Sequence, residues 1–436
     1  MLLVETASVP PAVPARPQPG RLYRWVVLIF VSLAMFGNYY FYDALSPLAD
    51  VLQRQLGFSD SNIGLLNSFY SIAPIATVLI GGMIIDRIGS RKATLMFGII
   101  CLIGAAVTAS SPRFAVMATG RLVFGMGAES LIVGVTTALA KWFRGKELSF
   151  AMGINLMIAR GGTWLAQNSP TWARSAYQSW QMPWLIGVGF VGLCVVGPAL
   201  YWALEARAER RYDLGQAGEV DKLVLGDIFR FGRSYWYLVA LCVLFYSAIF
   251  PFETFAVKYF IAAHGTTREL GGFLLSVLTL CTIFGTPLFG LLSDYAGRRA
   301  LLMICGSLLL IPVFLMMGYT GVSLYVPMGM LGLAFALVPA IIWPSVAYIV
   351  DQKTLGTALG LMTMIQNIGM AGLNYLLGWA NDAAHAGAAH PEGYRLMLQM
   401  LTALGVLAAV FAIALRVRET SPAGHGLETI TARSRS

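Results

Sequence analysis

Two residues of opposite charge stand at matching positions in neighbouring apolar stretches of the sequence. Glu129 lies in GMGAESLIVG, 12 residues before Lys141, and Arg160 lies in NLMIARGG, 12 residues after Leu148. If the two stretches are antiparallel helices, a rise of 1.5 Å per residue puts both side chains roughly 18 Å from the same end. An acid and a base at one depth can bind each other, or they can bind the two ends of one ligand.

Both interpretations of this pair remain open on the sequence. In the first, Glu129 and Arg160 form a salt bridge that neutralises both charges, and Gly161 and Gly162 allow their helices to approach closely. In the second, Glu129 binds a cationic amine and Arg160 binds a carboxylate in a bidentate manner. A dipeptide, about 7 Å long when extended, has both groups. The interpretations are compatible if such a ligand separates the pair.

The elements that must position these residues are membrane-spanning helices. The chain is 57% hydrophobic and 12% charged, whereas an ordinary soluble domain has about 25% charged residues. Many apolar helices with short loops are typical of an all-α integral membrane protein. Twelve segments approach the length of about 20 apolar residues that a spanning helix needs. They cover residues 25–45, 62–85, 93–111, 114–140, 148–169, 182–204, 235–262, 270–292, 300–319, 322–349, 355–381 and 395–416.

The charge distribution predicts topology and not a nucleic-acid partner. With both termini in the cytoplasm, 22 of the 30 Lys and Arg residues fall on the cytoplasmic side, six on the far side and two within helices. This is the positive-inside bias. The chain has no Asn-x-Ser/Thr acceptor site and no apolar signal-peptide run near its start, which favours a bacterial inner membrane. The five cysteines lie in predicted helices and the four histidines in loops or the tail, so we predict no metal and no cofactor.

A repeat divides the chain into two halves. GGMIIDRIGSRK follows the second predicted helix and GLLSDYAGRR follows the eighth, with Asp86 and Asp294 208 residues apart. Two parallel halves are typical of transporters that bind substrate between them at the membrane midplane. The predicted parts are a disordered cytoplasmic N-terminus (1–22), a six-helix bundle (23–204), a cytoplasmic linker (205–233), a second six-helix bundle (234–416) and a cytoplasmic tail (417–436). Within the linker, LGDIFRF predicts a short helix on the membrane surface.

These motifs resemble those of the major facilitator superfamily over all twelve helices. The first loop has the spacing of the superfamily's signature loop, and the second repeats it more weakly. The resemblance implies a conformational latch that holds one of two states and breaks in the other. The residues predicted to form the latch are Gly82, Asp86, Arg87, Gly89, Arg91, Asp294 and Arg298. Arg121, Gly125 and Gly127 resemble the fourth-helix motif, and we predict that they form a structural pivot.

One branch of the superfamily, the animal lysosomal dipeptide transporters, is especially similar. The similarity is strongest over 120–164 and 341–371. It implies that Glu129 holds the peptide amine and Arg160 the peptide carboxylate. Helices that line the superfamily's central cavity supply further candidates for substrate binding, each with helix packing as the alternative. They are Tyr42, Asp43, Trp164, Tyr246, Trp343, Gln366 and Asn367.

The sequence therefore predicts a carrier that moves dipeptides by alternating access. Glu129 and Asp43 are the candidates for carrying a proton, but Arg160 close to Glu129 would keep that carboxylate ionised. We expect a facilitative carrier, with a proton-coupled symporter as the alternative. A carrier for another small organic solute or drug is a further alternative. A sensor is disfavoured because no large soluble domain is predicted, and an enzyme because the sequence has no catalytic motif.

Overall fold

The computed structural model describes residue 17 and residues 19–143, 147–212, 231–351, 354–422 and 424–431. The first half contains the helices α1 (Arg21–Asp43), α2 (Ala49–Leu56), α3 (Asp60–Ser110), α4 (Phe114–Trp142), α5 (Leu148–Gln167), α6 (Ser169–Trp172), α7 (Gln181–Val191) and α8 (Leu193–Ala208). The second half contains α9 (Arg233–His264), α10 (Arg268–Ala296), α11 (Arg299–Tyr319), α12 (Tyr325–Ile349), α13 (Leu355–Ala383) and α14 (Tyr394–Glu419). Most of the predicted linker helix, LGDIFRF, lies outside the described residues.

These helices make twelve passes, six in each half, which confirms the predicted fold class. α3 forms two passes because Gly89, at φ 80° and ψ 154°, interrupts the helix. α7 and α8 form one pass, and α2 and α6 are too short to cross a membrane. An even number of passes brings Arg21 and Glu419 to the same end of the bundle. We call this the terminal end, and the opposite end, which holds Asp60 and His264, the distal end.

Nine of the passes in the described residues are long and apolar enough to cross a membrane by composition alone. Residues 60–79, α5 and α13 form the remaining passes, and each carries polar groups that face the opposite half or the space between the halves. Asn67, for example, donates a hydrogen bond to Thr254 of α9 at 2.7 Å. Helices that contact protein and a cavity, rather than lipid, do not need an apolar surface all round.

A second repeat, which our reading of the sequence missed, appears at the distal end. Gly57 ends α2 in the left-handed conformation and Gly265 ends α9 in the same way, at φ 69° and φ 63°. Two residues later, Ser59 caps the start of α3 and Thr267 caps the start of α10 through side-chain oxygens. Each equivalent pair is 208 residues apart, the same offset as Asp86 and Asp294. The halves are therefore related by a pseudo-two-fold axis that extends to individual turns.

The halves meet along two equivalent helix pairs, α3 with α13 and α10 with α5. A Cβ added at Gly64 would lie 2.1 Å from the carbonyl oxygen of Asn374, and one at Gly272 would lie 2.2 Å from that of Gln167. Gly64 and Gly272 are again 208 residues apart. Only glycine allows such a close approach of two backbones, so both contacts depend on the missing side chain.

Candidate functional site

A cavity of about 1290 Å³ lies between the halves. It extends from Asp43, near the distal end of α1, to Ser149, in the first turn of α5 at the terminal end. Eight of the nine residues predicted to bind substrate line it, four from each half. They are Tyr42, Asp43, Glu129, Arg160, Tyr246, Trp343, Gln366 and Asn367.

Glu129 lies on the cavity wall and is bound to a tyrosine rather than to Arg160. The hydroxyl of Tyr70 donates a hydrogen bond to Glu129 Oε1 at 3.0 Å. Tyr70 also packs against Tyr42, with ring centroids 4.6 Å apart. No ion pair within 4.0 Å joins Glu129 to Arg160 among the described residues. The salt bridge of the first interpretation is therefore not formed in this conformation, and the second carboxylate oxygen of Glu129 is not bonded to any residue that the structure describes.

Arg160 is held between aromatic rings from both halves. Its guanidinium carbon lies 5.7 Å from the ring centroid of Tyr39 on α1 and 5.3 Å from that of Phe335 on α12. Cation–π contacts use the face of the guanidinium and leave its N–H edge free. The N–H groups of Arg160 are thus available for a planar anion such as a carboxylate.

The second half contributes neutral polar groups to the cavity. Trp343 donates a hydrogen bond from Nε1 to the hydroxyl of Tyr246 at 2.8 Å. Asn367 donates to the backbone oxygen of Thr363 at 3.0 Å, and its side-chain carbonyl oxygen has no partner among the described residues. Gln366 has only weak contacts with sulfur atoms. These groups can bond to a neutral amide without introducing charge.

Trp164, the ninth predicted residue, does not line the cavity. Its side chain is 37% exposed and lies one turn beyond Arg160, towards the distal end of α5. The geometry therefore gives no support to Trp164 as a binding residue. Conversely, the sequence reading missed Tyr39, Tyr70 and Phe335, which position the two charged side chains. Of these, Tyr39 had a signal, since it lies one turn before Asp43 on the same helix.

Arg121 is completely buried and bound within the first half. It donates hydrogen bonds to the backbone oxygen of Phe41 at 3.3 Å and to the side chain of Asn67. Its guanidinium carbon lies within about 6 Å of four aromatic rings, those of Phe41, Tyr42, Tyr70 and Trp184. Cβ atoms at Gly125 and Gly127 would lie 2.6 Å and 2.7 Å from backbone atoms of α3. This arrangement is consistent with a fixed pivot between α1, α3 and α4.

The first predicted latch loop is open. Asp86 and Arg87 are exposed at the terminal end and make no hydrogen bond or ion pair with the described residues. Gly89 has the positive φ that its loop requires, and Gly82 has no neighbour within 4 Å of its Cβ position. Arg91 pairs with Glu209 of its own half at 2.8 Å. The loop therefore makes no bond to the described part of the second half in this state.

The second latch loop is held within its own half by the chain after α14. Asp294 binds Arg299 at 2.8 Å, and not Arg298. Arg298 adopts φ 45° and donates its backbone N–H to the oxygen of Glu428 at 3.1 Å. Glu428 Oε1 accepts the backbone N–H groups of Ala300 and Leu301 at 2.8 and 3.2 Å. The tail thus caps the start of α11, and Arg299 is the basic partner that the sequence analysis did not select.

Three ion pairs join the two halves among the described residues, and all lie at the distal end. Arg268 binds Asp50 at 2.5 Å, Arg174 binds Glu269 at 2.9 Å, and Lys258 binds Asp60. In addition, Asp382 accepts the backbone N–H groups of Asp60 and Ser61 at 2.9 and 2.8 Å. We call these seven charged residues the distal gate. The cavity is closed at this end and continues towards the terminal end.

Comparisons with known proteins agree with this architecture. The family model of the Major Facilitator Superfamily matches residues 31–373 and 254–431. The human lysosomal dipeptide transporter MFSD1 is 31% identical over 392 residues, which cover 86% of this chain and 84% of the human protein. The galacturonate transporter of Dickeya chrysanthemi is 27% identical over 226 residues, 49% of this chain and 65% of the relative.

Solved structures share the fold at low identity. A bacterial homologue of the human lysosomal transporter Spinster, in an inward-facing and unoccupied conformation, superposes with a TM-score of 0.76 at 17% identity, covering 91% of this chain and 98% of the other. The nucleoside transporter NupG gives a TM-score of 0.71 at 13% identity, covering 90% and 99%. With a matching family model over most of its length, twelve passes in two halves and a cavity between them, the chain belongs to the major facilitator superfamily and is a membrane carrier, not an enzyme.

Proposed function

We propose that this carrier transports small peptides, and dipeptides above all, by alternating access. The observation that carries the proposal is the arrangement of Glu129 and Arg160, which line one cavity with opposite charges and are not bonded to each other. A dipeptide zwitterion supplies an ammonium group for the first and a carboxylate for the second, so each buried charge gains a partner.

Glu129 and Arg160 are the two poles of the proposed site, and each has the geometry that its ligand group requires. Tyr70 occupies one oxygen of Glu129, and the other oxygen can accept an N–H bond from the ammonium group. Tyr39 and Phe335 cover the faces of Arg160, which leaves parallel N–H groups for the carboxylate. Asn367 and Gln366 lie on the opposite wall and can bond to the central peptide group. Because the cavity is far larger than a peptide backbone, we expect many side chains to be accepted.

The relatives support this substrate class. The human relative is named a lysosomal dipeptide transporter, and its similarity covers most of both chains. The galacturonate transporter covers less of its own length, and a sugar-acid anion would bind Arg160 while approaching the carboxylates of Glu129 and Asp43. Like charges in a desolvated cavity repel strongly, which favours a zwitterion over an anion.

We infer that both termini lie in the cytoplasm of a bacterial inner membrane, from the positive-inside bias. The terminal end is then cytoplasmic, and the conformation described is open to the inside. The sequence favours a facilitative carrier, because it predicts Arg160 close enough to Glu129 to keep that carboxylate ionised. The separation of these two side chains, together with a further buried carboxylate at Glu253, favours proton-coupled symport as the second candidate.

The test is thermal stabilisation of the purified protein by free and capped peptides. A ligand that binds the folded state raises stability with the logarithm of its concentration over Kd. We expect free dipeptides to raise Tm, and N-acetylated or C-amidated forms, single amino acids and tripeptides to do so much less. Glu129→Gln and Arg160→Ala should abolish the shift, while Trp164→Leu, on the same helix as Arg160 but outside the cavity, should retain it. Equal shifts from free and capped dipeptides would overturn the two-pole site.

A further inference from the structure

A second, much smaller cavity adjoins the distal end of the substrate cavity and contains two carboxyl groups. Asp43 of α1 and Glu253 of α9 both line it, one from each half, and Asp43 also lines the larger cavity. Its volume of about 10 Å³ is close to the space that one water molecule occupies. A peptide side chain cannot enter it, so its ligand must be the size of a water molecule or smaller.

Glu253 is buried without a partner for its charge. The residue is 5% exposed, and its carboxylate makes no hydrogen bond or ion pair with the described residues. Its backbone oxygen accepts a hydrogen bond from the hydroxyl of Ser46 in the first half. Asp43, by comparison, accepts a hydrogen bond from Thr163 at 2.6 Å. An ionised carboxylate is costly to bury without bonds, so Glu253 requires either a ligand or a proton.

The buried charges around the two cavities do not balance if every group is ionised. Asp43, Glu129 and Glu253 supply three negative charges. Arg160 on the cavity wall and Arg121, completely buried behind it, supply two positive charges. A zwitterionic peptide adds no net charge. One proton bound to a carboxyl group removes the excess.

We propose that Asp43 and Glu253 share one proton, which is bound when the distal end closes. One carboxyl group is then protonated and donates a hydrogen bond to the other carboxylate. Gln167, which is 1% exposed and lines the same cavity, has an amide Nε2 without an acceptor. Such a donor suits a carboxylate or a water molecule, whereas a metal cation would require oxygen ligands.

The mutual repulsion of the two buried carboxylates favours a shared proton on this pair. Arg160, which interacts electrostatically with both carboxylates, and Arg121, which interacts with Asp43, offset two of the three negative charges but not the third. Tyr42 is the remaining titratable group in the small cavity. Because the two carboxyl groups belong to different halves, opening the distal end separates them and exposes each to water. Their mutual repulsion then falls and the proton is released on the distal side. Proton binding and closure of the distal end are therefore linked.

Infrared difference spectroscopy tests the site without any peptide, so its result does not depend on the proposed function. Purified protein in lipid nanodiscs is titrated between about pH 5 and about pH 8, and the C=O band of a protonated carboxylic acid is followed. We expect a band in the native protein that is lost in Glu253→Gln and also in Asp43→Asn, because either change leaves two acids for two guanidinium groups. Glu205→Gln is the control, since Glu205 is buried but paired with Lys141 at 2.7 Å. A band that survives Glu253→Gln, or none in the native protein, overturns the proposal.

Spin labels at Ser110→Cys and Thr320→Cys, with Cys281 and Cys305 replaced by serine, report the distal opening. The ratio of closed to open molecules should rise up to tenfold per unit fall in pH where one proton is bound, and should lose this dependence in Glu253→Gln. Glu253→Asp, which keeps a carboxyl group, should retain it and shows that the fold survives change at this position. Closure driven by sodium at constant pH, with no effect of pH, would assign the site to a cation and overturn the proposal.

Discussion

Asp60 and Lys258 form a buried ion pair between the two halves, and the pseudo-two-fold axis turns it into the pair of Asp50 with Arg268. Lys258 occupies the position equivalent to Asp50, and Arg268 that equivalent to Asp60, at the common offset of 208 residues. The contacts therefore follow the rule of a two-fold interface, in which residue i meets j' and residue j meets i'.

The symmetry extends to positions but not to charge. Identical residues at equivalent positions would bring two acids together in each pair. In this chain the acids, Asp50 and Asp60, come from the first half and the bases, Lys258 and Arg268, from the second. Asp382 with Ser61 and Arg174 with Glu269 are also equivalent by position. Closing the distal end thus requires that the two halves differ in the charge of the residues at these equivalent positions.

We predict that Lys258→Met opens the distal gate. Lys258 and Asp60 have side chains only 5% and 1% exposed, so removal of the lysine leaves a buried carboxylate without its partner. Breaking a buried pair in this way costs about 3–5 kcal/mol, and only the distal-closed state has this cost. The population should therefore shift to the distal-open state, measured as a longer distance between spin labels at Ser110→Cys and Thr320→Cys.

Arg174→Ala is the matched control, because it removes an ion pair between the halves that is exposed. The Arg174 side chain is 83% exposed, and pairs of this kind contribute about 0–1 kcal/mol. The distance distribution should remain close to that of the native protein. The double variant Asp60→Asn with Lys258→Met removes both charges and should restore much of the closed population. If Lys258→Met and Arg174→Ala behave alike, burial of the pair is not what holds the gate.

A pair of glycines on α13 gives a steric test of the same closure. A Cβ at Gly378 would lie 2.3 Å from the backbone oxygen of Asp60, whereas one at Gly372 would have no neighbour within 4 Å. Gly378→Ala should push α13 away from α3 and lengthen the distal label distance. Gly372→Ala should leave it unchanged and stabilise the helix by about 0.5–1 kcal/mol, seen as an equal or higher Tm. The same response from both variants would contradict a steric role for Gly378.

The parts of the fold and site that could be predicted depend on local signals. The lengths of the apolar runs predict the twelve passes. Counting residues along α4 and α5 predicts that Glu129 and Arg160 lie at the same depth, and both line one cavity. Helix geometry fixes depth well because the rise per residue is constant. It does not show where the cavity ends, which is why the sequence predicts substrate binding by Trp164, one turn beyond Arg160, although Trp164 does not line the cavity.

The remaining features arise from contacts between distant segments. The sequence predicts no role for Lys258 or Arg268, because their partners, Asp60 and Asp50, are about 200 residues away along the chain. Glu253, in FYSAIFPFETF, gave a local signal that was not used, since a carboxylate in an apolar run is costly. Its relation to Asp43 became visible only when the two halves were brought together.

Asp382 provides a prediction on pH. Burial raises the pKa of its carboxyl group, but hydrogen bonds from the hydroxyl and backbone N–H of Ser61 and from the N–H of Asp60 outweigh this and lower it below the ordinary value. A lowered pKa in the closed state means that the carboxylate stabilises closure above the ordinary carboxyl pKa of about 3.9 and loses this contribution as pH falls through the lowered value. Its contribution should therefore be constant between about pH 5 and pH 8.

The measurement is the distance between spin labels at Ser110→Cys and Thr320→Cys. It is made in the Glu253→Gln background, which removes the proposed proton site, with and without Asp382→Asn. We expect Asp382→Asn to weaken closure by about 1.5–3 kcal/mol, the range for hydrogen bonds to a charged group, and by the same amount throughout the neutral range. An effect that grows steadily from about pH 5 to about pH 8 would mean that Asp382 titrates there, contrary to the hydrogen bonding described.

The contact between Glu428 and α11 predicts a local change in amide exchange. Glu428 Oε1 accepts the N–H groups of Ala300 and Leu301, two of the donors that the start of a helix leaves free, and its charge suits the helix N-terminus. Glu428→Ala should therefore raise hydrogen–deuterium exchange at the first turn of α11 and destabilise the protein by about 0.5–2 kcal/mol. Glu392→Ala, which removes an exposed acid near the distal end of α14, should change neither. Unchanged exchange at Ala300 and Leu301 in Glu428→Ala would show that the tail does not cap this helix.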